Sequence, residues 1–452
     1  MLVKKNEILE LTIEGIRFPN VGLVQVLERV LEVKGALPGQ RVRVRVVKKG
    51  KTNKGQVTQV LGAAPREVEP ECPIFGRCGG CAFQNIPYDY ELELKTGMIK
   101  DIFADFNIEE KFLPTVGSPV RRYRNKMEYS FGDDGEPDGA LMLGMRKKGS
   151  FYEAVDASGC LLVHEDFGRI LTATVEYFRE RGESFFHRRK GTGTLRHLVI
   201  RFGAGRGELL VNLVTTSGND YCGYAQMLLG VKLENSIVGI LNTVSSSVAD
   251  AIVPEQVKLL HGRDYYFEEF SEDAFGMVYK IPVFSFFQTN SVMAEVLYGV
   301  IREFAGDIQD KVIFDLYCGA GTIGKFLAAA GARRVVGVEI VEDAVVSARE
   351  DAPENCTFIA GDVKKIVKEI DEKPDIIILD PPREGIAPKA IPDILSFGAQ
   401  KIIYVSCKPT SLAANLPAFL DGGYEVTKIK CVDMFPRTAN VEVVMELSLQ
   451  AH

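Results

Sequence analysis

Residues 311–325, KVIFDLYCGAGTIGK, decide the fold class of the C-terminal part of the chain. An apolar run leads into Asp315, then into a turn that contains Gly319 and Gly321, and then into a helical pattern. Small residues in such a turn let backbone N–H groups approach a bound cofactor, although a tight strand-to-helix turn also needs glycines for its backbone alone. The next apolar run ends at Glu339, whose carboxylate could accept hydrogen bonds from a ribose. The strand before the turn and the acid after it favour a cofactor site.

From residue 286 onward, segments typical of strands and helices alternate. This alternation predicts a doubly wound, Rossmann-like α/β domain with ligands at the carboxyl ends of its strands. Five side chains suited to binding or chemistry lie at or just beyond predicted strand ends: Asp315, Glu339, Asp362, Asp380 and Cys407. Their convergence is stronger evidence for an active site than any single motif.

Three of the polar residues in this domain are candidates for chemistry. Cys407 lies between an apolar strand and a predicted helix, where the helix N-terminus and Lys408 should favour the thiolate. Asp380 follows a fully apolar strand, so its carboxylate could face a reacting methyl donor or a polar edge of the substrate. Glu442 lies in an apolar terminal strand, where burial would raise its pKa toward that of a general base. The alternative for Cys407 is a small buried side chain, and the alternative for Asp380 is an acidic residue of a turn. Glu442 could instead face outward from its strand.

Three cysteines near residue 75 predict a metal-binding loop. Cys72, Cys78 and Cys81 have C-x5-C-x2-C spacing with glycines between them, and Cys160 is the best candidate for a fourth ligand. Thiolates at this density indicate zinc or an iron–sulfur cluster. Three clustered cysteines and one remote cysteine suit a cubane cluster better than the two paired knuckles of a zinc site.

The N-terminal segment is basic although the whole chain is acidic. Residues 1–63 hold twelve Lys and Arg against five Glu, a net charge of +7, whereas the whole chain carries −7. Short strands with turn signals at Pro38-Gly39 and Lys49-Gly50 predict a small OB-like β-barrel. Alternation places Arg41, Arg43 and Arg45 on one face, able to contact a phosphate backbone. The segment resembles the RNA-binding TRAM domain, and the alternative is an edge strand protected by charge.

Residues 64–285 predict an α+β domain with basic loops. One segment interleaves basic and aromatic side chains suited to phosphate contact and base stacking: Arg121, Arg122, Tyr123, Arg124, Lys126 and Tyr129. Further basic clusters lie at 146–148 and 187–190, although basic loops are often only solvated. The predicted domains are therefore 1–63, 64–285 and 286–452.

Length and composition are those of an ordinary multidomain protein with RNA as the expected partner. A chain of 452 residues predicts two or three domains. We expect no contact with a membrane, because no apolar run is long enough to span one. The N-terminal residues lack a secretory pattern, which makes the cytoplasm the expected location and argues against a disulfide framework for the nine cysteines. A monomer is expected.

Taken in order, the motifs resemble those of the RNA 5-methyluridine (uracil-C5) methyltransferases, in particular the TRAM-domain and iron–sulfur type that acts on 23S rRNA. The resemblance rests on the cysteine set and on F-F-Q-x-N, D-L-Y-C-G-x-G, D-P-P-R, Y-V-S-C-x-P and F-P-x-T-x-x-V-E. It implies that Cys407 adds to uracil carbon 6 and that Glu442 removes the carbon 5 proton. It also implies two binding sets: Gln288, Tyr317, Glu339 and Asp380 for S-adenosyl-L-methionine, and Cys72, Cys78, Cys81 and Cys160 for a [4Fe–4S] cluster.

The sequence departs from this family at Asn440, where the family often has histidine two residues before the base. An amide cannot take up a proton, so a proton-relay role for that position is not expected. The barrel and the cysteine cluster favour rRNA as the substrate, with methylation of tRNA uridine-54 as the alternative. A methyltransferase for small molecules or proteins, and a non-catalytic iron–sulfur RNA-binding protein, are the remaining hypotheses.

Overall fold

The computed structural model describes residues 4–48, 53–136, 139–366 and 368–450. Packing divides the chain into two compact units, which are Met1–Glu71 with Cys81–Ser118 and Ile378–His452, and Cys72–Gly80 with Pro119–Ile377. The three-domain division expected from sequence stays a prediction. Within the described residues, no helix combines the length and the apolar character needed to cross a membrane.

The first unit begins with a six-stranded sheet. Its strands are β1 (Ile8–Thr12), β2 (Gly15–Arg17), β3 (Val21–Val26), β4 (Arg29–Lys34), β5 (Arg41–Lys48) and β6 (Asn53–Gly62). Their order is β1-β5-β6-β4-β3-β2, and only the β4–β6 pair is parallel. The alternating valines of β5 are buried, whereas Arg41 and Arg45 are exposed, as the sequence pattern predicts. Arg43 instead binds Glu10, with 2.6 Å between Nη2 and Oε1. The sheet confirms a strand-rich N-terminal segment; the predicted turn at Lys49-Gly50 lies outside the described residues.

A buried ionic cluster joins the first long helix to the C-terminal part of the same unit. Helix α1 (Tyr88–Phe103) carries Glu91 and Lys95 one turn apart, and short 3₁₀ turns follow at Ala104–Phe106 and Glu109–Lys111. The Lys95 Nζ atom lies 2.8 Å from Glu91 Oε1 and 2.8 Å from Asp433 Oδ1, and all three side chains are fully buried. The arrangement fixes α1 to the chain just before the F-P-x-T-x-x-V-E motif.

The second unit contains an independent seven-stranded sheet with two helices. Its elements are β7 (Lys126–Gly132), β8 (Met142–Arg146), β9 (Ala154–Asp156), α2 (Glu165–Glu180), β10 (Leu195–Gly203), β11 (Glu208–Thr215), α3 (Cys222–Leu229), β12 (Ser236–Val244) and β13 (Gln256–Gly262). The strand order is β13-β12-β11-β10-β7-β8-β9, and β11 and β12 are parallel. Tyr129 is completely buried in the core beneath α2, and Tyr123 is only 6% exposed. The prediction that these two tyrosines stack on bases is therefore wrong, because alternation along β7 turns Tyr129 inward.

A hairpin and a helix lead into the third sheet. These are β14 (Tyr265–Glu269), a 3₁₀ turn at Glu272–Ala274, β15 (Val278–Pro282) and α4 (Ser291–Ala305). The remaining elements are β16 (Val312–Leu316), α5 (Thr322–Ala329), β17 (Arg334–Glu339), α6 (Glu342–Glu350), β18 (Cys356–Ala360), α7 (Val363–Ile366), β19 (Ile376–Leu379), α8 (Ile391–Leu395), β20 (Lys401–Ser406), α9 (Pro409–Asp421), β21 (Tyr424–Val432) and β22 (Glu442–Leu449).

The third sheet has the strand order β18-β17-β16-β19-β20-β22-β21. Strands β16, β17 and β18 are parallel, and β22 pairs antiparallel with both β20 and β21. All the strands expected from the sequence form, each near its predicted position. The sequence analysis missed β21, whose alternation is interrupted by the consecutive polar residues Thr427 and Lys428, where the register with β22 also shifts.

Candidate active site

The turn after β16 has a backbone that requires glycine. Gly319 and Gly321 have φ values of +54° and +72°, and Gly321 directly precedes α5. A Cβ atom at Gly321 would lie 2.4 Å from the ring of Phe358, whereas one at Gly319 would meet no heavy atom of the described residues within 4 Å. The turn is therefore packed on one side and open on the other, where a ligand could approach its backbone.

Two carboxylates fix the shape of this turn. Glu339 at the end of β17 accepts hydrogen bonds from the N–H groups of Gly319 (3.1 Å) and Val341 (2.9 Å). Asp315 Oδ2 accepts a hydrogen bond of 2.9 Å from the N–H of Gly324 in the first turn of α5. Each carboxylate oxygen has two lone pairs, so Glu339 keeps acceptor capacity for ribose hydroxyls. The carboxylate is thus preorganised beside the open side of the turn.

Tyr317 and Cys318, in the same loop, have different surroundings. Tyr317 is half-buried, and burial together with the charge of Asp362 raises its pKa to about 12. Cys318 is buried against Val345, Ala348 and Phe358. Burial raises the pKa of the Cys318 thiol far above its usual range, so this cysteine is an inert packing residue rather than a nucleophile.

Hydrogen bonds from Asn125 to main-chain carbonyls hold the F-F-Q-x-N segment in place. The carbonyl oxygen of Gln288 accepts a hydrogen bond of 3.0 Å from Asn125 Nδ2, and Asn125 N–H donates to the carbonyl of Thr289 at 2.9 Å. Asn290 caps α4 by accepting a hydrogen bond from Met293 N–H at 3.2 Å. These contacts fix the half-buried Gln288 between β15 and α4 in the second unit.

In the first unit, strand pairing brings Cys407 and Glu442 together. Ser406 at the end of β20 lies opposite Val443 of β22 in an antiparallel pair. Cys407 is the next residue after Ser406, Glu442 is the residue before Val443, and the charge of Glu442 acts on the Cys407 thiol. Glu442 is only 5% exposed, and burial together with the charge of Asp380 raises its pKa to about 8. This confirms the pKa direction expected from the sequence.

The surroundings of Cys407 favour the thiol over the thiolate. Burial is the main cause, followed by the charges of Glu442 and Asp380, and together they raise the Cys407 pKa to about 11. The expectation that Lys408 and the helix N-terminus favour the thiolate is therefore wrong. Lys408 is exposed, and a half-buried sulfur beside two carboxyl groups has too little compensating positive charge.

Arg383 is the functional candidate that sequence reasoning missed. Its guanidinium lowers the pKa of Cys407 through its charge and a hydrogen bond donated to the sulfur, which partly opposes the carboxyl groups. The Arg383 carbonyl accepts a hydrogen bond of 2.7 Å from Ser411 Oγ, which ties the D-P-P-R loop to α9. In the same loop, burial raises the pKa of Asp380 to about 7. The arginine of D-P-P-R, three residues after Asp380, could have indicated this role.

Asn440, the position that departs from the family pattern, belongs to the turn before β22. It is half-buried, and its N–H donates to Thr438 Oγ1 at 3.2 Å.

The four cysteines predicted to bind a cluster are only partly brought together. In the second unit, Cys72 and Cys78 raise the pKa of the Cys160 thiol, after the larger effect of burial. Cys81 belongs to the first unit, where Gln84 Nε2 donates to its sulfur at 3.7 Å. Within the described part of the chain, none of these four cysteines forms a disulfide. Among the residues that the structure describes, no group of three or more His, Cys, Asp or Glu side chains is arranged to hold a metal ion.

Comparison with known proteins gives a consistent family. Residues 248–450 match the family model described as tRNA (uracil-5-)-methyltransferase. The chain is 43% identical over 456 residues to an uncharacterized RNA methyltransferase of Clostridium tetani, covering 99% of both chains. It is 45% identical over 450 residues to an uncharacterized RNA methyltransferase of Caldanaerobacter subterraneus, covering 97% of this chain and 98% of the relative.

A solved structure matches nearly the whole chain as well. The tRNA (uracil-54, C5)-methyltransferase of Pyrococcus abyssi, in complex with S-adenosyl-L-homocysteine, has a TM-score of 0.77 and 27% sequence identity. The match covers 97% of this chain and 99% of the archaeal one. The likeness to this solved methyltransferase therefore covers nearly the whole chain and extends beyond the residues of the family match.

Proposed function

Because the chain belongs to the tRNA (uracil-5-)-methyltransferase family of RNA methyltransferases, we propose that it methylates uracil carbon 5 in RNA through a covalent cysteine adduct. The observation that carries this proposal is the pairing of Cys407 with Glu442 beside Arg383 and Asp380. A nucleophile and a carboxyl group with a pKa near 8 are the two groups that such chemistry needs.

In the proposed mechanism, the Cys407 thiol gives its proton to solvent water, and its sulfur forms a bond to uracil carbon 6. The electron pair of the C5–C6 double bond moves toward the carbonyl at carbon 4, which makes carbon 5 nucleophilic. S-adenosyl-L-methionine supplies the methyl group that carbon 5 takes up, and S-adenosyl-L-homocysteine is the product of that transfer. The ionised carboxylate of Glu442 then accepts the carbon 5 proton, the C5–C6 double bond re-forms, and Cys407 leaves as a thiolate. The target nucleotide must be turned out of its stack to reach these groups.

Arg383 is proposed to act at the first step of this mechanism. Burial, Glu442 and Asp380 raise the pKa of the free thiol to about 11, and that pKa would be higher still without Arg383. Arg383 thus favours the thiolate through its charge and through the hydrogen bond that it donates to the sulfur. Protonation of Asp380, whose pKa is raised to about 7, also reduces the negative charge beside the sulfur.

Gln288, Tyr317, Glu339 and Asp380 are proposed to bind the methyl donor. The fixed carboxylate of Glu339 and the open side of Gly319 support a ribose and its neighbouring atoms at the end of β17. Tyr317 has an unusual φ of +68°, which directs the chain out of β16 and into the turn.

The cysteine nucleophile is tested with Cys407→Ala. The variant should lose methyl transfer to RNA from tritiated S-adenosyl-L-methionine while it keeps donor binding, measured by calorimetry. Cys222→Ala, which removes an exposed cysteine in the second unit, is the matched control and should keep full activity. Turnover by Cys407→Ala would reject the assignment. Absence of labelled carbon 5 on every RNA tested would instead favour the non-catalytic RNA-binding hypothesis.

We propose 23S rRNA as the target, on the strength of the basic N-terminal sheet and the cysteine set. The alternative is tRNA uridine-54, which the name of the Pyrococcus abyssi enzyme favours. Unmodified 23S rRNA and tRNA transcripts are incubated with the enzyme, and nuclease fragments are analysed by mass spectrometry. Methylation of tRNA alone would overturn the rRNA proposal and leave the uracil chemistry intact.

A [4Fe–4S] cluster held by Cys72, Cys78, Cys81 and Cys160 is the further cofactor that we propose. Its support is the cysteine spacing and the mutual influence of the Cys72, Cys78 and Cys160 thiols. Anaerobic purification should give about four irons and four sulfides per chain. The matched comparison is Cys160→Ser, which should lose iron, against Cys222→Ser, which should not. Zinc in place of iron would reject the cluster.

A further inference from the structure

Two basic clusters that are far apart in the sequence converge in the second unit. Arg146 at the end of β8 and Arg188 in the loop between α2 and β10 both reach the same carboxylate. Arg146 Nη2 lies 3.5 Å from Asp250 Oδ1, and Arg188 Nη2 is in direct contact with that oxygen. The fold therefore assembles one basic site from segments 146–148 and 187–190.

The site holds more positive charge than one carboxylate balances. The side chains of Arg146 and Arg188 are only 27% and 24% exposed, so both guanidinium groups are largely removed from water. Burial and the charge of Arg188 lower the pKa of Arg146, which records the repulsion between them. His197 lies 3.8 Å from Asp250 but adds no charge near neutral pH, because its pKa is lowered to about 3 by burial and by the arginines. A second anion would therefore be stabilised here.

Neighbouring groups hold this site in place without neutralising it. Arg196 donates to the Ser245 and Ala249 carbonyls and so anchors the loop that carries Asp250. Its charge is offset by Glu255 and Glu128. Asp250 itself is 56% exposed. The carboxylate that joins Arg146 and Arg188 therefore lies at the surface on an anchored loop, where an incoming anion could replace it.

Aromatic residues adjoin the two arginines, through a backbone contact at Phe151 and as the chain neighbour His187. Phe151 is 74% exposed, and its carbonyl accepts a hydrogen bond of 2.5 Å from Arg146 Nη1. Tyr152 stacks on His187 with ring centroids 4.2 Å apart and planes 19° from parallel. A partly desolvated arginine pair beside an exposed ring is the combination that binds a phosphate and stacks its base.

We propose that Arg146 and Arg188 bind a backbone phosphate of the RNA substrate, that Phe151 stacks on an adjacent base, and that Asp250 occupies the phosphate position when RNA is absent. The inference rests on RNA being the substrate, as in the proposed function. In it, Asp250 competes with the substrate instead of helping to bind it.

Opposite effects of two substitutions test the proposal in the full-length enzyme. Arg188→Ala should weaken binding of tRNA and 23S rRNA transcripts about tenfold and reduce the slope of log K against log salt by about 1. Asp250→Asn should tighten binding of the same transcripts about threefold or more, because the competing charge is lost. If Asp250 is only a structural partner of the arginines, Asp250→Asn will leave RNA affinity unchanged or weaken it, and the proposal fails.

The stacking role has a separate test. Phe151→Ala should weaken RNA binding severalfold without changing the salt slope, since stacking releases no counterions. The ring is exposed, so its loss should not affect folding. An unchanged affinity would remove Phe151 from the site.

Another ion pair of the same unit, which makes no contact with Asp250, provides the control. Arg206 and Glu269 are 2.8 Å apart, and their side chains are 38% and 43% exposed. Arg206→Ala and Glu269→Gln should leave RNA affinity as in the unmodified enzyme. Arg188→Gln, which keeps most of the side chain, replaces Arg188→Ala if the latter fails to fold. Normal carbon 5 methylation together with unchanged RNA affinity in Arg188→Ala, Asp250→Asn and Phe151→Ala would reject only this inference. If the unmodified enzyme does not methylate carbon 5 but these substitutions change RNA binding as expected, only the proposed function is rejected.

Discussion

At Cys407 the proposed chemistry depends on two opposing influences on the pKa of one thiol. Glu442 and Asp380 raise its pKa, and Arg383 lowers it. We predict that Arg383→Gln raises the apparent pKa of Cys407 and that Glu442→Gln lowers it. The measurement is the rate of iodoacetamide alkylation of Cys407 as a function of pH, with the modified peptide quantified by mass spectrometry.

Cys318 serves as an internal reference in the same experiment, because it is buried in a separate cluster. Its alkylation should remain slow at all pH values in both variants. Equal shifts of Cys407 in the two variants would contradict the opposing roles of Arg383 and Glu442.

Glu442 should also reduce the stability of the folded protein at neutral and alkaline pH. Its folded pKa of about 8 lies above the ordinary value of 4.5, so the folded state favours the protonated form. The penalty is absent below pH 4.5, grows as the pH rises toward 8, and is constant above it. We predict that Glu442→Gln raises the unfolding temperature at pH 8 but not at pH 4, as measured by calorimetry.

Glu446, four residues further along β22, provides the contrasting variant. It is also buried, but its Oε2 atom lies 2.9 Å from Lys428 Nζ. Glu446→Gln breaks this pair and should lower the unfolding temperature at pH 8. If both substitutions stabilise the protein, burial of any carboxylate in β22 is unfavourable. The predicted difference between Glu442 and Glu446 would then be wrong.

The sequence predicted the positions of individual residues well where these lie at the ends of strands. Glu339 ends β17 and Cys407 directly follows β20, so the apolar runs were enough to place both. Arg383 was missed because its role depends on a sulfur that is near only in the folded chain. The tyrosines at 123 and 129 were misread because a basic and aromatic pattern does not reveal which face of the strand is buried.

Among the elements, α1 is the one whose contribution to the site is least apparent from sequence. Lys95 on α1 also donates to the carbonyl of Phe435, at 3.2 Å, within the motif that leads to Glu442. Glu91 Oε1 accepts from the Arg437 N–H at 2.7 Å, and Tyr88 donates to Asp433 at 2.9 Å. Helix α1 therefore holds in place the segment that leads to Glu442, the proposed base.

We predict that Lys95→Met destabilises the protein by about 3–5 kcal/mol, because buried Asp433 loses the Lys95 cation and buried Glu91 keeps only Arg437, at 3.4 Å. The free energy of unfolding from urea titration measures the effect. The control is Glu93→Gln on the exposed side of the same helix, which breaks a 2.8 Å pair with Arg66 and should cost less than about 1 kcal/mol. Similar losses in both variants would contradict the buried cluster's special contribution.

At the scale of the whole molecule, the uneven distribution of charge along the chain makes the N-terminal sheet the candidate surface for attracting RNA. A net +7 in residues 1–63 on a chain of net −7 indicates a segment that attracts RNA. The three arginines of β5 differ in their surroundings. Arg43 is paired with Glu10, whereas Arg41 and Arg45 are exposed. The sequence identified the basic face, but only the packing identifies which arginines face solvent.

We therefore predict that the double variant Arg41→Glu and Arg45→Glu raises the KM for RNA, makes that KM less dependent on salt concentration, and leaves kcat at saturating RNA unchanged. The reason is that these side chains lie in the N-terminal sheet, whereas the proposed nucleophile and base follow β20 and begin β22. Steady-state methylation at several salt concentrations measures the split between KM and kcat. Lys373→Glu with Lys389→Glu makes the same change in net charge at exposed positions outside that sheet and should alter KM little. If both double variants raise KM equally, the effect belongs to the overall charge of the chain, and the N-terminal sheet has no special part in holding RNA.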